Sequence, residues 1–107
     1  MNITNTIKQK AILEEYEGRS QVLAKVIWEI EFSEEGYIST HQIVTVINQN
    51  TLAEKYKVPV HRLTDNDIFN LCTEQEGGQE WFRHVYESHR QAIAGQKFDD
   101  SLTIYDE

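Results

Sequence analysis

The sequence predicts an α+β fold in one domain spanning residues 1–107: an N-terminal helix, an antiparallel β-hairpin over about 22–47, then three helices packed on it, with room for a C-terminal edge strand. Three observations carry this. The even positions from 22 to 32 read Val22, Ala24, Val26, Trp28, Ile30 and Phe32, while the odd ones include Lys25, Glu29 and Glu31, which is the period of a half-buried strand. A stretch rich in β-branched residues, Tyr37 to Ile47, follows the turn sequence Ser33-Glu34-Glu35-Gly36. From residue 51 onward, helix-start signals and amphipathic spacing take over.

Thr4 can cap a helix over about 5–17, where Ile7, Ala11 and Ile12 form a modest apolar stripe and Gly18 takes the C-terminal position. Gly36, placed as the left-handed residue after a type I turn, sets Phe32 beside Tyr37, Ile30 beside Ser39, Trp28 beside His41 and Val26 beside Ile43. Thr51 and Glu54 have capping-box spacing for a short helix that Pro59 stops. Thr64 opens the next helix, with Asp67 three residues on and Leu63 and Ile68 at the staple positions; Gly77-Gly78 ends it. Over 79–94, Trp81, Phe82, Val85, Tyr86, His89, Ala92 and Ile93 fall on one helical face, and Gly95 is the expected stop. Leu102 to Tyr105 supplies the edge strand.

Bulk properties bound the function. Leu, Ile, Val and Phe make up 28 of 107 residues, enough for a core without disulfides or metal. Ten basic against 18 acidic side chains give a net charge of −8, and residues 58–107 carry −6 of it. Such a field disfavours nucleic acid and anionic membranes and favours a partner with a basic patch. The single cysteine, Cys72, excludes an intrachain disulfide and the multi-cysteine zinc sites, and its position beside Leu71 reads as core. With no charged-then-apolar leader and no long apolar run, the expected location is the cytoplasm, with no membrane contact.

Two segments resemble known motifs. Leu52 to Leu63 is similar in spacing to a helix-turn-helix, with Lys55, Lys57, His61 and Arg62 as its basic cluster; the resemblance implies a DNA-binding regulator using residues 51–74. Lys57 stands where that family places Gly. Residues 31–42 resemble an EF-hand loop in having Gly36 and Ile38 at its sixth and eighth positions, but Glu31 and Gln42 replace the terminal Asp and Glu ligands. Of the histidines, Glu80 and His84 are one turn apart on a helix, and His84 and His89 diverge around it. No nucleophile elbow, phosphate loop or dinucleotide fingerprint occurs, so no enzyme activity, metal or cofactor is expected.

The leading expectation is therefore a small acidic, non-catalytic protein–protein interaction module: an inhibitor, adaptor or regulator. Its partner-binding residues are Phe32, Glu34, Glu35, Tyr37, Trp81 and Tyr86, the acids and aromatics of the hairpin end and last helix. The alternatives are the DNA-binding regulator and an acidic mimic of nucleic acid that blocks a DNA- or RNA-binding protein. Exposed strand edges also allow a homodimer.

Overall fold

The computed structural model describes residues 1–105 and has the order β-β-β-α-α. Strands β1 (Asn2–Tyr16), β2 (Arg19–Glu34) and β3 (Tyr37–Val46) form one antiparallel sheet in the order β1-β2-β3. Helices α1 (Asp65–Glu76) and α2 (Gly78–Ser101) pack on one face of it.

The expected N-terminal helix over 5–17 is thus a strand. Its apolar residues have β partners instead: Ile7 lies opposite Trp28, Ala11 opposite Lys25 and Ile12 opposite Leu23. Gly18 is no helix cap. Glu17 and Gly18 have φ of 47° and 80°, and Glu35 and Gly36 have 53° and 84°. Both pairs close two-residue hairpins, Tyr16 to Arg19 and Glu34 to Tyr37, with the positive-φ turn whose twist suits a hairpin. The tight second turn also corrects the hairpin register by two residues. Phe32 faces Ser39, Ile30 faces His41, Trp28 faces Ile43 and Val26 faces Thr45. A shift of two keeps every side chain on its expected face. The segment resembling a calcium loop is this hairpin and presents no loop of ligands.

Two single 3-10 turns, Glu54–Tyr56 and Val60–Arg62, stand where the short helix opened by Thr51 is expected. Thr51 caps nothing there. Its hydroxyl reaches back to the Asn48 carbonyl at 3.4 Å, and Glu54 accepts from Lys57 at 2.9 Å. The α1 start carries a full capping box: Thr64 Oγ1 accepts from the Asp67 N–H at 3.1 Å, and Asp67 Oδ2 from the Thr64 N–H at 2.9 Å. Helix α2 runs through Gly95 to Ser101, and residues 102–105 form no strand.

The core is the β2–β3 face under the helices. Val26, Trp28, Ile30 and Phe32 from β2, Ile43 from β3 and Ile47 just after it meet Ile68, Leu71 and Cys72 of α1 and Val85 and Ile93 of α2. Burying each of the large side chains is worth about 1.5–3 kcal/mol. One polar side chain is buried among them: Thr45, whose Oγ1 accepts from Trp28 Nε1 at 2.9 Å. The opposite sheet face has no helix on it, and Ile38, Thr40, Gln42, Val44 and Val46 are exposed there.

Candidate functional site: the hairpin end and the last turns of α2

The antiparallel register places the β2–β3 turn at one end of the sheet, and the 24-residue α2 is long enough to reach it. There, chain segments some 60 residues apart are locked together. Lys97 Nζ donates to Glu34 Oε2 at 2.8 Å and lies 3.3 Å from Glu35 Oε2. Tyr37 Oη donates to Asp100 Oδ2 at 2.7 Å, and Gln96 Nε2 donates to the Ile38 carbonyl at 3.0 Å. The ammonium of Lys97 holds the Glu34 carboxyl below its ordinary pKa and is itself held above its own by that hydrogen bond. The bond to Asp100 raises the Tyr37 phenol.

Beneath this polar clasp lies a ring stack. His89 lies parallel to Phe32 with ring centroids 4.9 Å apart, and Tyr86 meets Phe32 edge-on at 6.1 Å. His89 Nδ1 is 2.6 Å from Ser39 Oγ and its Nε2 is 3.0 Å from His41 Nδ1. Two tautomer arrangements satisfy these contacts: Ser39 donates to His89 Nδ1 while His89 Nε2–H donates to His41, or His41 donates to His89 Nε2 while His89 Nδ1–H donates to Ser39. Burial, and then the neighbouring His41, depress the His89 pKa. Trp81 packs between Trp28, at 6.0 Å, and His41, at 6.3 Å. An open groove of about 540 Å³ follows α2 here, lined by Gln79, Glu80, Phe82, Arg83 and Tyr86.

Of the six residues expected to bind a partner, Glu34, Glu35 and Tyr37 come together at the hairpin end. Phe32 lies fully buried below them. Tyr86 joins the ring stack, and Trp81 sits farther along α2, half-buried on the core. Asp100 stands out in the sequence only as half of the acidic pair Asp99-Asp100, and Lys97, which orients Glu34, not at all, because a lone Lys near a helix end carries no pattern. Apolar side chains of the same segment are exposed as well: Phe98, Leu102, Ile104 at 87 % and Tyr105 at 83 %.

The basic cluster is arranged otherwise than a helix-turn-helix requires. Lys57 pairs with Glu54, Lys55 lies 4.9 Å over the Tyr56 ring, and His61 and Arg62 are exposed on a single 3-10 turn. No recognition helix follows before α1, whose first turn offers Asp65 and Asp67. Burial pushes the Cys72 thiol up to about 12, with Glu76 adding to it, so the group stays protonated at neutral pH. Among the described residues no three His, Cys, Asp or Glu side chains cluster as metal ligands, and no helix is long and apolar enough to cross a membrane. Comparison with protein-family models, curated proteins and solved structures found no match.

Proposed function

We propose that the chain is an acidic, non-catalytic protein-binding module whose partner docks on the end formed by the β2–β3 turn, the last turns of α2 and residues 102–105. The observation that carries this reading is the exposure of Phe98, Leu102, Ile104 and Tyr105 in the same chain segment as the acids Asp99 and Asp100, which the clasp ties to the hairpin end with Glu34 and Glu35. Large apolar side chains with a charged rim have the composition of a recognition surface. The acids select a partner with a basic patch and speed encounter with it. Lys97 and Tyr37 already fix Glu34 and Asp100, so binding orders fewer side chains. A mimic of nucleic acid would be one form of the same module, using the same acids. We read the module as cytoplasmic, a location that its lone buried thiol suits.

A pull-down from the source cell tests the proposal, using the tagged chain and a Phe98→Ser/Leu102→Ser variant, each with and without nuclease. We expect a stoichiometric protein that survives nuclease on the wild type and falls at least tenfold on the variant. Equal retention by both would remove this surface from the interface. Partners that vanish with nuclease, with DNA left in the untreated half, would favour the DNA-binding alternative.

A further inference from the structure

Strand β1 is an edge strand that packs extensively against β2, and among the described residues no strand pairs with its other rim. Such an edge invites pairing unless it is short, bulged or charged against it. Lys8 is a bulge and is tied across the sheet to Glu29 at 3.6 Å, which guards the first half. The second half, Gln9 to Tyr16, has no cross-sheet ion pair, and its one register shift, between Ala11 and Ile12, places the extra residue, Ala24, on β2, so β1 itself runs on without a bulge. These eight residues are extended, and none before Glu17 has a positive φ. It exposes Ile12 at 38 % and Leu13 at 40 %. Among the described residues neither Lys10 nor Glu14 has an ion-pair partner.

We infer that this segment pairs antiparallel with the same segment of a second copy, with Ile12 on the two-fold axis. Symmetry restricts the register. A two-fold axis normal to the sheet carries each residue to the same face, so paired residue numbers must share parity and their sum must be even. Sums of 20, 28 and 30 set Lys10, Glu14 or Glu15 against itself. A sum of 22 centres on Ala11 and sets Lys10 against Ile12, and one of 26 sets Ile12 against Glu14. A sum of 24 sets Ile12 against Ile12, Lys10 against Glu14 twice, and Ala11 against Leu13 twice. Cross-strand pairs of these kinds stabilise a sheet, and like charges placed opposite do the reverse. The segment is thus self-complementary in one register. The joined sheet would have six strands, with about 24 Å of new ladder over Gln9–Glu15 at ~3.4 Å per residue. The net charge of −8 on each copy opposes association, so the Lys10–Glu14 pairs decide the outcome.

Sedimentation equilibrium of the purified chain tests this without any other partner. The wild type is expected to reach twice the chain mass of 12.5 kDa as concentration rises through the micromolar range. Lys10→Glu and Glu14→Lys should each weaken the dimer at least tenfold, since each sets like charges opposite twice. The double variant Lys10→Glu/Glu14→Lys should restore it. Both positions are exposed, and circular dichroism checks that each variant is folded. As a second readout, oxidised Ile12→Cys should form a cross-linked dimer through the axis. A wild type that stays monomeric to about 1 mM would overturn the inference. So would a dimer that ignores both charge reversals, or one that the double variant fails to restore.

Discussion

Thr45 and Trp28 form a buried polar pair that joins the two core strands, the Trp28 indole N–H donating to the Thr45 hydroxyl. Replacing Thr45 by Val keeps the shape and orphans the indole N–H. A lone buried donor costs about 1–3 kcal/mol. Thermal unfolding of Thr45→Val should drop by roughly 4–8 °C per kcal/mol, and Thr45→Val/Trp28→Phe should lose less than the two single changes together. The imidazoles make a second prediction at this scale. Because the folded protein depresses the His89 pKa, the unfolded chain holds that proton more tightly. Stability from His89 is therefore complete above the ordinary imidazole value near 6.5 and declines as pH falls below it. Urea unfolding from pH 7.5 to 5.5 should show this slope in the wild type and a flatter one in His41→Gln/His89→Gln. Equal slopes would assign the effect to other groups.

Among the elements, α2 shows how tertiary contacts override a local stop signal. A mid-helix glycine costs about 0.5–1 kcal/mol relative to alanine. The helix passes through Gly95 because Gln96, Lys97 and Asp100 beyond it are held by β2 and β3. A Cβ at Gly95 meets nothing within 4 Å, whereas Gly36 sits at φ +84°. Gly95→Ala should therefore stabilise the protein by about 0.5–1 kcal/mol, and Gly36→Ala should destabilise it by about 1–2 kcal/mol, both read by urea unfolding. The Thr64 box and the faces of 22–32 were legible in the sequence because capping and period-two burial are local. Strand β1 was not. Most of its residues are exposed, so no alternation marks it, and only its pairing with β2 makes it a strand. The signal that could have revealed it is the dipeptide Glu-Gly, which occurs at 17–18 and again at 35–36 in the same kind of turn.

At the scale of the whole molecule, the candidate site was legible in part. Glu34, Glu35 and Tyr37 share a turn and could be grouped from sequence, but their fixing by Lys97 and Asp100 needs a fold that closes 63 residues of chain. Phe32 carried the right chemistry for a partner surface, yet period-two burial points it inward. The protein measures 73 × 23 × 20 Å, and β2 spans most of the distance between the two proposed surfaces. Its 16 residues cover roughly 50 Å at ~3.3 Å per residue. Self-pairing at Gln9–Glu15 thus leaves the hairpin end free, and a dimer would offer two such ends to a bivalent partner.

Trp28 and Trp81 are the only tryptophans in the chain, and they sit 6.0 Å apart where α2 meets the sheet. Indole emission shifts to longer wavelength when water reaches the ring. The protein's tryptophan emission is therefore a gauge of one event, the seating of α2 on β2 and β3. It is blind to whatever happens along the outer rim of β1.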